Sequence, residues 1–350
     1  MGSKDVMIEG WVDPSLTRVK EAFEANLDLG LEQGAAFSVV ADGRVVVDLW
    51  GGFADAAAER PWRRDTIVTV QSVTKGIVAL AVAMLVDRGK LDYDAPVATW
   101  WPEFAAGDKQ SITLGQIMSH QAGLNTVRED LALDDLYHGD RFVRCLEAME
   151  PIYPPGSMCV YHALSYGYLA GEIIRLVDGR SVGRYIAEEI ASPLDASIFL
   201  GLSEAHDHRA AEIIAGPGAD DVMEEATRSD LTRGYVNPRV RPTEPNTRAW
   251  RAAEVPAGSA NADALSLARL YGALALGGTL DSVCLVRPAT LALATAERFD
   301  GTEAGFGWPM RYGAGFMLNK DEVFGPHRDA FGHSGWGGYV AYADPANRLG

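Results

Sequence analysis

Apolar residues recur every three to four positions at Leu16, Val19, Ala22, Phe23 and Leu27, which predicts a first helix over residues 16–27. Ala35 to Val40 and Val45 to Trp50 are apolar, partly β-branched runs flanking Ala41-Asp42-Gly43-Arg44. An Asp-Gly pair between such runs predicts an antiparallel hairpin, because its backbone twist matches that of the strands it joins. A short β-like run over residues 66–70 leads into Ser72-Val73-Thr74-Lys75-Gly76. From Ile77 to Asp87 the chain is apolar on most faces, which predicts a helix inside the protein, ended by a glycine cap at Gly89.

The middle of the chain has a helical pattern. A short helix is predicted to begin near Thr113, a longer one to follow Tyr161 through Leu164, Tyr168, Leu169, Ile173 and Ile174, and another to cover Val182 to Ile190, closed by Ser192-Pro193. Residues 204–256 are polar, proline-bearing and weakly periodic, which predicts long loops over a cleft. Asn261 to Leu276 predicts a helix, and Gly313 to Phe316 and Gly338 to Tyr342 predict strands. Asp344-Pro345-Ala346-Asn347 reads as a turn toward a partner strand, so the edge there needs a cover, from chain beyond Gly350 or from another element. Strands from both chain ends around a helical middle make an α+β class: one unit with an α/β lobe over about residues 10–80 and 260–350 and a mainly helical, loop-rich lobe over about 81–259.

Composition narrows the function classes. A length of 350 residues with 47% hydrophobic and 23% charged residues suits a globular enzyme and excludes a disordered or fibrous chain. A net charge of -17 argues against phosphate binding, which requires concentrated Lys and Arg, so no nucleic acid partner is expected. The apolar run around Ile77 to Val86 is about half the length a membrane span requires. Lys4, Asp5 and Glu9 stand where a secretory leader would be apolar, and Cys145, Cys159 and Cys284 are odd in number without metal-binding spacing. Both features point to the cytoplasm, with no membrane partner, no metal and no cofactor.

Three segments carry candidate chemistry. Ser72 and Lys75 stand three apart at a predicted helix start, so both face one side and the amine reaches the hydroxyl. A lysine desolvated enough to lose its charge activates a serine, and a helix N-terminus offers N–H groups to an oxyanion. The same four residues also suit a serine capping a surface helix. Tyr161 follows a Pro-Pro-Gly loop; beside a lysine its hydroxyl acidity would rise, which suits a proton shuttle, although a core tyrosine reads the same way. Gly332-His333-Ser334-Gly335-Trp336-Gly337-Gly338 is dense enough in glycine to let a substrate approach the backbone, with His333 placed to donate a hydrogen bond or assist proton transfer. No G-x-S-x-G, H-E-x-x-H or G-x-G-x-x-G is present, and His206 and His208 beside Asp207 read as a solvated loop pair.

These segments, in order and with Leu91-Asp92-Tyr93-Asp94-Ala95-Pro96-Val97, Ile112-Thr113-Leu114, His120-Gln121-Ala122-Gly123-Leu124 and Pro155-Gly156-Ser157 between them, resemble the serine β-lactamase-related family. That family includes class C β-lactamases, D-Ala-D-Ala carboxypeptidases and family VIII carboxylesterases, and the pattern is nearest the last. The resemblance runs from about Ala35 to Gly350. It implies the β-lactamase/penicillin-binding-protein-like fold, with the site between the sheet and the helical lobe. It further implies Ser72 as nucleophile, Lys75 as general base, Tyr161 as first residue of the Tyr-x-Asn element, and His333-Ser334-Gly335 in place of Lys-Thr-Gly. The oxyanion would be held by the backbone N–H groups of Ser72 and a residue near Trp336.

The departures direct the substrate expectation. Ala163 stands where the family asparagine would be, and His333, largely uncharged at neutral pH, replaces a lysine that helps bind a substrate carboxylate. Both losses favour hydrolysis of small to medium neutral acyl esters through an acyl-enzyme on Ser72. A β-lactamase, a D-amino-acid peptidase or amidase, an acyltransferase, and a non-catalytic binding protein of the same fold are the alternatives. Trp250, Phe306, Trp308 and Trp336 are candidates for the acyl pocket wall.

Overall fold

Both ends of the chain form antiparallel sheets around a helical middle in the computed structural model, which describes residues 7–216, 218–227 and 229–350. Lys4 and Asp5 lie outside the described residues. Strand β1 (Ile8–Val12), helix α1 (Thr17–Asp28) and the hairpin of β2 (Gly34–Ala41) and β3 (Arg44–Asp55) come first, in sheet order β1-β3-β2. Asp42 and Gly43 take the positive φ values that the tight turn needs. Short β4 (Arg60–Pro61) pairs with β3, and β5 (Val68–Thr69) delivers the chain to α2 (Val73–Asp87).

Helices α3 (Leu114–Met118), α4 (Leu133–His138), α5 (Asp140–Ala148), α6 (Ser165–Asp178) and α7 (Val182–Ile186) make the middle. Thr113 and Gln116 form a reciprocal capping box at the start of α3. Next come β6 (Ile198–Phe199), α8 (Ala219–Ala226), α9 (Arg248–Ala252), β7 (Asn261–Ala262) and α10 (Ala264–Ala275). The hairpin of β8 (Thr279–Leu280) and β9 (Val283–Cys284), helix α11 (Pro288–Thr295) and five antiparallel strands complete the chain: β10 (Phe299–Thr302), β11 (Pro309–Tyr312), β12 (Met317–Leu318), β13 (Phe331–Gly335) and β14 (Tyr339–Ala343).

Helix α2 organises the packing. Every residue from Val73 to Leu85 is buried, as an apolar surface on all sides requires, and it touches α6, α7, α11, β13 and β14. At Gly76 a Cβ would fall 2.2 Å from the Tyr271 hydroxyl of α10 and 3.4 Å from the His333 Cβ of β13. The bare glycine therefore sets how closely three elements approach.

Three expectations change. Asn261 and Ala262 are extended, pairing with β5 and β6, because the Asn261 side chain bonds to Thr69 and the Asp263 carboxylate caps α10 through the Ser266 N–H. Gly313 to Phe316 is the turn between β11 and β12, closed by a Gly313 N–H to Phe316 carbonyl bond of 2.9 Å, with Gly315 at φ +94°. Residues 204–256 carry α8, α9 and 3-10 turns as well as loops. As expected, a turn at 344–347 leads to a covered edge: Leu349 bridges Asp344 and Ala41, and Val40 and Gly350 exchange N–H···O bonds of 2.8 and 2.9 Å, so the chain end links β14 to β2.

Because α2 is packed on every side, truncating it cannot be relieved by solvent. Leu80, fully buried on α2, should on Leu80→Ala cost about 2–5 kcal/mol of stability, read as a lower denaturant midpoint at unchanged slope.

Candidate active site

Ser72 occupies the N-cap position of α2, and its side chain makes no capping bond, so the hydroxyl is free for other work. Gln71 just before it sits at φ +49°, a left-handed conformation that a non-glycine residue holds only under support. That support includes close packing on the third segment: a Cβ on Gly335 would lie 2.6 Å from the Val70 carbonyl oxygen. One turn into α2, the Lys75 Nζ lies 3.1 Å from the Ser72 Oγ and donates to the Ala257 carbonyl at 2.9 Å. Gly167 of α6 lets the Ala257 segment approach, since a Cβ there would be 2.4 Å from the Ala257 nitrogen.

Lys75 is wholly buried, and desolvation brings its pKa well below the ordinary lysine value. Loss of its charge is what would give the amine a lone pair to receive a proton. The sequence pattern predicted this amine but not the Ala257 carbonyl, which orients it and has no side-chain signature.

The Tyr161 hydroxyl hydrogen-bonds with that of Ser72. Burial pushes its pKa up, with the Ser72 bond opposing, which reverses the expected direction. Lys75 does not acidify it because the amine is itself desolvated and lies 4.8 Å from the centroid of the ring, over its face. Behind Tyr161 stand two buried histidines not singled out as site residues. His120 contacts the Tyr161 and Tyr312 rings at centroid distances of 4.7 Å each, and its Nδ1 accepts the His162 N–H. Burial lowers both histidine pKa values, that of His162 to about 4.

His333, Ser334 and Gly335 form the end of β13, and Trp336 opens the turn into β14. His333 is buried, its Nδ1 2.6 Å from the Ser334 carbonyl; burial first and Lys75 second lower its pKa to about 3. Its Nε2 has no hydrogen-bond partner among the described residues. Ser334, Gly335 and the 39% exposed Trp336 are the more open part of the segment.

Ser72, Tyr161, His333, Ser334, Gly335 and Trp336 line a cleft of about 1490 Å³, which also takes in Ala163, Tyr235, Trp250 and Trp308, whereas Lys75, His120 and His162 lie behind its wall. Phe306 does not line it but stacks beneath Trp308, centroids 4.8 Å apart and planes 15° from parallel. Tyr235, unmarked in the sequence, meets Phe306 edge-on at 4.9 Å. The one arginine among the described lining residues, Arg241, is held by the Glu244 carboxylate at 3.0 Å. His206 stacks on Phe199 and Asp207 pairs with Arg248, and no cluster of metal-ligating side chains occurs among the described residues.

A family model described as Beta-lactamase matches residues 20–350. Esterase/beta-lactamase LipL of Mycobacterium tuberculosis (strain ATCC 25618 / H37Rv) is 34% identical over 350 residues, covering 96% of this chain and 80% of that protein. The crystal structure of a family VIII carboxylesterase matches with a TM-score of 0.92 at 42% identity, covering 98% of this chain and 92% of that one. A penicillin-binding protein homolog from Caulobacter crescentus matches at 0.88 and 40%, with the same coverage.

The buried histidines make stability depend on pH. His333 and His162 resist protonation down to about 3 and about 4, whereas the unfolded chain takes up those protons near the ordinary histidine value of 6.5. Between these limits the unfolded state binds more protons, so stability falls as pH drops from neutrality. Denaturant midpoints at pH 7 and pH 4.5 should differ less in His333→Asn than in the parent chain.

Proposed function

The chain belongs to the beta-lactamase family, and within it we propose a serine carboxylesterase that cleaves neutral esters of small to medium acyl groups through an acyl-enzyme on Ser72. The observation that carries this reading is the buried Lys75 amine 3.1 Å from the Ser72 hydroxyl, where desolvation disfavours its charge. The Ser72 Oγ attacks the ester carbonyl carbon while its proton passes to Lys75. The backbone N–H groups of Ser72 and Trp336 receive the oxyanion. Tyr161, kept protonated by burial, hands its proton to the departing alkoxide and is reprotonated from Lys75; water then releases the acid by the reverse relay.

Neutral substrates are favoured by what the cleft lacks among its described residues. Ala163 offers no amide, His333 is uncharged, and Arg241 is already paired, so nothing awaits a substrate carboxylate. The likeness to a family VIII carboxylesterase and to a relative named esterase/beta-lactamase supports ester chemistry. The reading takes the chain as one catalytic unit, supported by α2 packing against both helices and strands. It also puts the protein in the cytoplasm, supported by three unpaired cysteines; no helix among the described residues is long and apolar enough to cross a membrane.

Intact-protein mass spectrometry after brief mixing with an activated short-chain ester, or with a cephalosporin, tests the reading. Rapid ester turnover with an acyl mass on Ser72 is expected, absent in Ser72→Ala. Lys75→Ala and Tyr161→Phe should each slow turnover by about 10²–10⁴-fold. Cephalosporin turnover faster than that of every ester tried would move the protein to β-lactam hydrolysis.

A further inference from the structure

Glu303, immediately after β10, is fully buried, yet no lysine or arginine pairs with it among the described residues. Backbone alone satisfies its carboxylate. Oε1 accepts the N–H groups of Tyr161 and Gly305, each at 2.9 Å, and Oε2 accepts that of Phe306 at 2.9 Å. A carboxylate buried without a cation is costly unless donors converge on it, so so specific a cradle calls for a reason. The main chain repeats the connection. The Ala304 N–H donates to the Cys159 carbonyl at 2.8 Å, and the Glu303 N–H donates to the Trp308 carbonyl at 2.8 Å.

Two parts of the cleft therefore meet at this one group. One is the segment that holds the Tyr161 hydroxyl against Ser72. The other is the aromatic wall, in which Phe306 stacks on Trp308, Tyr235 abuts Phe306, and the Tyr161 and Tyr235 centroids lie 6.0 Å apart. Gly305 has no room for a side chain: a Cβ would stand 2.6 Å from the Glu303 Oε1.

We propose that Glu303 is a positioning residue that fixes Tyr161 and the aromatic wall of the cleft in one register, and so sets turnover and acyl-group selectivity together. It touches no reacting atom; it acts through the Tyr161 backbone on one side and the 305–308 loop on the other. The proposal rests on the esterase reading of the same site.

Glu303→Gln keeps the size but turns an NH₂ toward at least one of the three N–H groups, leaving it unpaired. Gly305→Ala keeps the carboxylate and displaces it, and Glu303→Asp keeps the charge with a shorter reach. For an acetyl ester, Glu303→Gln and Gly305→Ala should each lower kcat about tenfold or more at nearly constant KM, since a small misplacement of a proton-transfer group slows chemistry without weakening binding. The ratio of kcat/KM for an aryl-acyl ester to that for the acetyl ester should change about threefold or more, and Glu303→Asp should recover part of both losses. Rates are taken per fluorophosphonate-reactive Ser72, so unfolded protein is not counted.

Unchanged kcat and selectivity per reactive site in both variants overturn the proposal, as does a loss that disappears once reactive sites are counted. If Glu303→Gln fails to fold, Gly305→Ala and Glu303→Asp decide by the same criteria. A parent protein that labels at Ser72 yet turns over no ester overturns the esterase reading instead. The rate of labelling then tests Glu303, with a fall of about tenfold expected in Gly305→Ala and an equal rate contradicting it.

Discussion

Desolvation of one amine is the constraint on which the rest of the structure depends. In the proposed mechanism Lys75 can take a proton from Ser72 only if it is uncharged near neutral pH, and an exposed lysine is not. The fold favours that condition by placing Lys75 on a helix buried from Val73 to Leu85 and setting its amine between the Ser72 hydroxyl, the Ala257 carbonyl and the Tyr161 ring. Under that mechanism a hydrophobic helix at the centre of the molecule is a chemical requirement as much as a packing solution.

The surroundings of Lys75 are consistent with that requirement. His120, His162 and His333 are all held neutral by burial, and Tyr161, Tyr166, Tyr271 and Tyr312 are all held protonated by it. A nearby carboxylate would restore the lysine charge, and a nearby imidazolium would raise the cost of the transient ammonium. Some polar groups here are satisfied by backbone, as when Ala257 receives Lys75 and Lys75 itself receives Tyr166 through its carbonyl at 3.1 Å, while His120 Nε2, His333 Nε2 and the Tyr271 and Tyr312 hydroxyls have no partner among the described residues. The arrangement stores little charge and leaves stability sensitive to acid.

Outside this dry centre the cleft changes character. Trp308 and Trp336 are 41% and 39% exposed, and the lining is largely apolar, without an unpaired cation among the described residues. Such a surface recognises acyl and alcohol groups by shape and area more than by charge. Selectivity then rests on how firmly the aromatic wall is held, which is why a buried carboxylate behind it bears on function.

Much of this was legible in the residues themselves. The Asp42-Gly43 hairpin, the all-apolar helix after Ser72 and the capped start at Thr113 follow from local preferences, and those are written in neighbouring side chains. The Ser72, Lys75 and Tyr161 set was legible because its spacing and order are specific. What the sequence did not carry was everything set by distant backbone. Asn261 and Ala262 join a sheet through Thr69, nearly two hundred residues away, and the Gly313–Phe316 turn depends on strands on either side of it. The direction of the Tyr161 pKa reversed for the same reason: the sequence suggests the lysine near it but not the burial that lowers the lysine pKa and raises that of the phenol. The Ala257 carbonyl and the Glu303 cradle were invisible, since a backbone oxygen or N–H has no residue identity. Local chemistry is decided by residue type, whereas desolvation and backbone convergence exist only once distant segments have packed.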